Sequence, residues 1–203
     1  MAQVFPTKAN LMATQKSLDL AKLGYELMDR KRNILVREMM QLIDEAKTIE
    51  GDINSAYEKA YASLRKANIT LGICTKFSKT TPIDDGLTLD FKSVMGVLIP
   101  TIDLKPQVSR VYYGFNETNS YLDEAYINFN EAKRMTARLC ETEASIYRLA
   151  DAVKKTQKRA NALSNIMIPQ FKGTIKYIAE ALDEKEREDF TRLKVVKKQK
   201  ENQ

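Results

Sequence analysis

Histidine and tryptophan are absent from this 203-residue chain, cysteine occurs only twice, and there are 5 prolines and 7 glycines. Without histidine the usual general base and the commonest transition-metal ligand are gone. The two cysteines, Cys74 and Cys140, have no metal-like spacing and suit a reducing compartment, where they are expected to be buried free thiols. None of the phosphate-loop pattern GxxxxGKS/T, the dinucleotide pattern GxGxxG or the nucleophile pattern GxSxG occurs. No cofactor or metal is expected, and catalysis by this chain alone is not. Long apolar runs are missing too. The opening MAQVFPTKAN lacks the core of a signal peptide, and VMGVLIP (94–100) is far too short to cross a bilayer. A soluble protein with no direct membrane insertion is expected.

What is abundant is helix-forming and charged. The chain is 43% apolar and 30% charged, too apolar for general disorder. Leu18, Ala21, Tyr25, Met28, Arg32, Leu35, Met39, Leu42, Ala46, Ile49, Ile53, Ala56, Ala60, Ser63 and Ala67 follow one another at alternating steps of three and four. Such a stripe, sustained over about seven heptads, predicts a coiled-coil helix despite Gly24 and Gly51. Thr7 or Asn10 can cap its start, and Gly72 suits its end. Toward that end the stripe turns to Ala and Ser, which bury little area but allow close approach. Arg32 is the odd member, reading either as a side chain snorkelling out of the seam or as one that pairs with the other helix.

A second stripe runs Ala125, Phe129, Ala132, Leu139, Ile146, Ala150, Val153, Ala160, Met167, Phe171, Ile178 and Leu182. This predicts a helix from Glu117, Asn119 or Ser120 to about Lys198, roughly 120 Å at 1.5 Å per residue, which must pair with something. Pro169 lacks the donor that would reach the carbonyl of Asn165, so a bend is expected there with helix on both sides. Between the helices, residues 75–116 hold Pro82, Pro100 and Pro106 with Gly86, Gly96 and Gly114. Period-two patterning from Leu87 to Ile99 predicts a strand, and Val108–Tyr113 is a candidate partner for a small antiparallel hairpin. Asp84 and Asp85 read as turn residues. The fold class is therefore mainly α: a long antiparallel two-helix coiled coil with a small β-hairpin in the connection. Its parts are an N-terminal helix (1–74), a connecting segment (75–116) and a C-terminal helix (117–203) bent near Pro169. An isolated two-stranded ribbon is marginal in water, so its apolar residues point to a partner or to packing on the helices.

Net charge is +6, and residues 154–203 carry 13 basic against 7 acidic side chains. Asp183, Glu184, Glu186, Glu188 and Asp189 alternate with Lys185 and Arg187, the mixture of a solvated helix face rather than a metal site. A basic helix could lie on nucleic acid. Phe190, Leu193 and Val196 run through the same stretch and favour protein instead, and no finger or aromatic-sheet motif supports a nucleic-acid role. A static coiled-coil scaffold is the other alternative.

PTKANLMATQKSLDLAKLGYELMDRKRNIL (6–35), SVMGVLIP (93–100) and RANALSNIMIPQFKGTIKYIAEALDEKEREDFTRLKVVK (159–197) together resemble the D subunit of V-type and archaeal-type rotary ATPases, in matching order over nearly the whole length. The chain departs from that family's pattern at Gly173, where a polar helix former is more usual. The resemblance implies a non-catalytic central shaft of a proton- or sodium-transporting ATPase, cytoplasmic and peripheral to the membrane. It would transmit torque between a hexamer of subunits A and B and the membrane rotor, with an F subunit bound on the shaft and a C (or d) subunit below. Arg30, Lys31, Arg32, Arg187, Arg192, Lys194 and Lys197 are then candidate contacts within the hexamer. Val94, Met95, Val97, Leu98 and Ile99 are candidates for a ribbon surface that meets the F subunit or packs on the shaft.

Overall fold

The fifteen-position stripe forms one helix, α1 (Lys8–Leu71), and each of its members is buried or half-buried. The computed structural model describes residues 5–81, 86–104 and 112–201. Thr7 is the cap of α1: its Oγ1 accepts from the Asn10 amide at 3.2 Å, and its carbonyl accepts from Leu11 at 3.0 Å. The helix stops where Gly72, at φ +75°, donates to the Asn68 carbonyl. A four-residue helix, α2 (Thr75–Ser78), precedes the hairpin strands β1 (Leu87–Val94) and β2 (Val97–Leu104). A 3₁₀ turn at Phe115–Glu117 leads to α3 (Ser120–Ala162), a π-helical turn (Leu163–Met167) and α4 (Ile168–Glu201). Asn119 caps α3 through Oδ1, 3.3 Å from the Leu122 amide. The chain divides into two compact units, Ile34–Val153 and Met1–Asn33 with Lys154–Gln203.

In the unit spanning Ile34–Val153, the two helical stretches run antiparallel. Leu35, Ile53, Ala56, Ala60 and Ala67 supply one side of the core, and Leu122, Ala125, Ala132 and Leu149 the other. Hydrogen bonds join Tyr57 to Thr136 (3.1 Å), Asn128 to Ser63 (3.1 Å) and Asn119 to Thr70 (2.6 Å), the residue numbers rising along one helix as they fall along the other. Tyr61 adds an edge-on contact with Phe129. Near the helix ends Tyr113 is buried with Ala67 and Leu122, packed by Leu71, Cys74 and Phe77. Its hydroxyl donates to Asp123 Oδ1 at 2.6 Å. Burial, followed by the Asp123 carboxylate, raises the phenol's pKa far above the ordinary value of 10, so the proton stays in that bond.

The hairpin departs from the sequence expectation. The apolar run read as one strand turns back on itself at Met95 and Gly96, and the register pairs Val94 with Val97 and Leu87 with Leu104. Both turn residues have positive φ (50° and 79°), the conformation of a type I′ turn whose twist matches the strands. Met95 is an unusual residue for that conformation, and it hid the turn. Of the expected second strand, residues 108–111 lie outside the described residues, and Tyr112 and Tyr113 are not in a strand. The expected turn residues Asp84 and Asp85 likewise lie outside the described residues.

In the other unit, Ala21, Thr156, Ala160 and Ile178 are buried, and Leu18, Tyr25, Met28 and Phe171 are half-buried. The helix does not stop at Pro169. The π turn just before it, closed by the Ile168 amide on the Leu163 carbonyl, widens the helix where the proline ring and missing donor would otherwise break it. That extra residue rotates everything beyond by about 100°. Met167 therefore faces outward, against expectation, and Ile168, Ile175 and Leu182 continue the seam. Ala150 is also exposed, with Leu149 buried in its place; polar Thr142, Ser145 and Thr156 occupy seam positions that apolar counting passes over. Neither cysteine is the buried thiol expected: Cys74 is half-buried and Cys140, one position off the seam after Leu139, is exposed.

Two stability outcomes follow from these contacts. A Cβ at Gly51, in the interior of α1, meets nothing within 4 Å. Gly51→Ala should therefore raise unfolding free energy by about 0.5–1 kcal/mol, measured by urea titration. Tyr113→Phe should cost about 1.5–3 kcal/mol at pH 7, since it strips a charge-assisted bond from Asp123. Because the folded phenol has the raised pKa, this contribution is complete below the ordinary value of 10 and is lost as the pH rises beyond it. The difference between wild type and variant should accordingly stay constant from about pH 7 to 9 and shrink above about pH 10.

Candidate interaction surfaces

Chemistry-bearing clusters do not assemble here: among the described residues no group of three or more His, Cys, Asp or Glu could hold a metal ion. The distinctive features are surfaces. The first is the end of α4. Lys8, the first residue of α1, lies 3.1 Å from Glu186, so α4 runs on beyond its antiparallel neighbour for roughly 15 residues, about 20 Å. Every residue from Asp183 to Lys200 is exposed. Phe190 and Leu193 are 69% and 70% accessible, an unusual state for large apolar side chains at consecutive turns. Arg187, Arg192, Lys194 and Lys197 share this tip. The ion pairs of Arg187 with Glu184 (4.0 Å) and Arg192 with Glu188 (3.7 Å) are long and exposed and bind those cations weakly.

The second basic group, Arg30, Lys31 and Arg32, does not act as one. Arg30 is exposed and Lys31 half-buried. Arg32 is held inside a polar cluster: its Nη2 lies 2.6 Å from Asp29, Nη1 donates to Gln157 Oε1 at 2.9 Å, and Nη2 donates to Asn33 at 3.1 Å. It thus neither snorkels free nor makes its ion pair across the seam. The ion pair is within α1, and a neutral hydrogen-bond acceptor is what it meets on the opposing helix.

The third surface is the hairpin. Paired residues share a face, so Leu87, Leu89, Phe91, Leu98, Pro100, Ile102 and Leu104 lie on one side and Val94, Val97 and Ile99 on the other. The five residues singled out from sequence are therefore split between both faces and the turn. Met95 and Leu98 are exposed, and Val94, Val97 and Ile99 are half-buried. Leu87, Leu89 and Phe91 were missed, although each is about half accessible (51%, 51% and 52%). The alternation that identified the strand already carried that signal.

The family model for the ATP synthase D subunit matches residues 10–198. The chain belongs to the ATP synthase D-subunit family. It is 43% identical to the V-type ATP synthase D subunit of Thermotoga neapolitana, covering 96% of this chain and 97% of that one. Against the A-type ATP synthase D subunit of Methanopyrus kandleri identity is 35%, over 97% and 87% of the two chains. Against that of Pyrococcus abyssi it is 34%, over 96% and 94%. As a D subunit, the chain is a non-catalytic part of a V/A-type ATPase, the central rotor shaft that links the catalytic and membrane sectors. No described helix is long and apolar enough to cross a membrane, and the exposed apolar residues include groups at a helix tip and on a ribbon.

The contrast within the second basic group can be checked directly. Arg32→Ala should lower unfolding free energy by about 1–2 kcal/mol, because it removes one partner of a half-buried polar cluster. Arg30→Ala, on the exposed face, should stay within about 0.5 kcal/mol of wild type by the same urea titration.

Proposed function

We propose that the protein turns as an axle within a ring of alternating A and B subunits, with the overhanging tip of α4 as its bearing surface. The observation that carries this reading is the uncovered run from Arg187 to Lys200, whose apolar Phe190, Leu193 and Val196 alternate with Arg192, Lys194 and Lys197. Apolar residues let such a tip seat against a protein sleeve, and cations steer it by charge complementarity with acidic loops. No covalent step is needed. Torque passes by steric contact, and a hairpin of two unlike helices presents a different face to each of three ring interfaces, as a symmetric rod could not.

The F subunit is assigned to the ribbon, with Met95 and Leu98 as exposed contacts and Leu87, Leu89 and Phe91 added to the surface. Val94, Val97 and Ile99 serve more as packing, given their half-burial. The C (or d) subunit connects the axle to the membrane rotor, which makes the protein cytoplasmic and peripheral to the membrane. Arg30 and Lys31 remain hexamer contacts in this reading, whereas Arg32 contributes by stiffening the seam. The helix bends at Pro169, where the π turn relieves the missing hydrogen bond and lets the tip lean from the seam axis.

Replacing Arg187, Arg192, Lys194 and Lys197 together with Gln tests the bearing. The isolated fold should be unchanged, since all four side chains are exposed. Affinity for an A/B hexamer at low salt should fall by about tenfold or more and lose much of its salt dependence. Wild-type affinity in the quadruple variant would remove the tip from the contact. Failure of the wild-type chain to join either the hexamer or its F partner would remove the whole reading.

A further inference from the structure

We propose that Arg148 and Ser145 of α3 form a latch that closes the outer edge of β2 and thereby fixes which face of the hairpin is presented outward. The two-residue turn makes Val94 and Val97 a hydrogen-bonded pair, so the alternation of an antiparallel ladder assigns Lys92 with Ile99, Asp90 with Thr101 and Thr88 with Asp103 to the same class. Leu98 and Pro100 then belong to non-bonded pairs, and their backbone groups point away from β1. Pro100 has no amide hydrogen, so it forfeits no ladder bond at this position. The outer edge between them is consequently rich in acceptors: two carbonyls against the single N–H of Leu98.

What meets that edge has complementary chemistry. Arg148 Nη1 donates to the Leu98 carbonyl at 3.0 Å, and buried Ser145 donates through Oγ to the Pro100 carbonyl at 3.4 Å. The guanidinium carbon of Arg148 also stands 5.2 Å from the centre of the Phe91 ring, so one side chain grips both strands. A guanidinium has donors only and a planar face, and both properties are used. Ser145 and Arg148 are three apart on α3 and therefore lie on one helix face, spaced to reach two residues along a strand. Edge strands are a hazard unless covered. Here α3 covers the edge of β2 and leaves β1, exposed along nearly its whole length, as the open one.

A two-stranded ribbon alone is marginal. Fastened at Leu98, Pro100 and Phe91, it is held ordered before any partner arrives, which removes an ordering cost from association. Arg148 is on this account a positioning residue, and the inference holds whether or not the F subunit is the ribbon's partner. Amide hydrogen exchange followed by mass spectrometry on the full chain tests it. In Arg148→Ala, exchange within 87–104 should accelerate by about tenfold or more, while α1 and α3 change less than about twofold. Arg148→Lys keeps a cation and a donor and should restore a large part of the protection. Phe91→Leu removes only the ring face and should give an increase of a few fold. Hairpin exchange within about twofold of wild type in Arg148→Ala would overturn the latch. So would a uniform rise over helices and hairpin, which would signal general destabilisation.

Discussion

Along most of its length a pair of helices has no third element to shield its seam, so most of what one buries the other must cover. This constraint governs the rest of the structure. Much of the buried surface is alanine, Ala56, Ala60, Ala67, Ala125 and Ala132 in one unit and Ala21 and Ala160 in the other, which permit close approach but contribute little hydrophobic free energy each. Among the described residues the fully buried large side chains are few, Leu35, Leu149 and Ile178. A smooth seam of small residues also specifies register weakly, because a slide by one heptad costs little. The polar pairs Tyr57–Thr136, Asn128–Ser63, Asn119–Thr70 and Arg32–Gln157 answer that weakness. All but the exposed Asn119–Thr70 bond satisfy groups that a slide would leave unpaired in a half-buried site, a penalty larger than the bond's own net worth. An axle loaded along and around its length needs this kind of resistance more than it needs a large core.

How much of this was legible in the sequence depended on whether burial was carried by apolar side chains. On α1 it was, and the stripe from Leu18 to Ala67 held at every position. On α3 it was not, because polar Thr142, Ser145 and Thr156 are buried, with the Thr142 hydroxyl donating to the Arg138 carbonyl and that of Ser145 to the Pro100 carbonyl. Such residues read as surface in any count of apolar spacing, and the phase drifted onto Ala150. Beyond Ala160 the drift had another cause. A π turn inserts one residue without any compositional mark, so Met167 looked like seam and Ile168 is. Pro169 advertised a disturbance; it could not announce that the helix would absorb it by widening.

The hairpin illustrates a different limit. Its first strand and the start of its second were visible only as one strand of period-two alternation, which runs unbroken through Met95, since the turn is made by backbone dihedrals rather than by a change in polarity. Gly96 was the only local sign, and a single Gly in a strand is equally a bulge. Pro100 was the better clue. A proline inside a paired strand must sit where its missing amide points away from the ladder, which places Pro100 in a non-bonded pair with its carbonyl on the outer edge, where Ser145 of α3 meets it. The candidate contact residues suffered accordingly: taken as a consecutive run, they straddle both faces, whereas the exposed apolar residues Leu87, Leu89 and Phe91 alternate along one.

The two exposed apolar surfaces differ in how they are supported, and the difference fits different work. The tip of α4 is a single helix whose side chains pack on nothing described, so its contacts can be made and broken at successive positions without disturbing the seam behind it. Its mixed Phe, Leu, Val and basic character favours many shallow engagements over one deep one, because exposed cations bind weakly and are screened within about 10 Å at 0.1 M salt. The ribbon is instead anchored through Arg148, Ser145 and Phe91 to α3, next to Leu149 at 1% exposure. A partner held there would move with the shaft. Under the proposed function, transient contact at a bare helix end and lasting contact at a fastened ribbon would be two distinct modes, one to slip past a housing and one to carry what turns with the shaft.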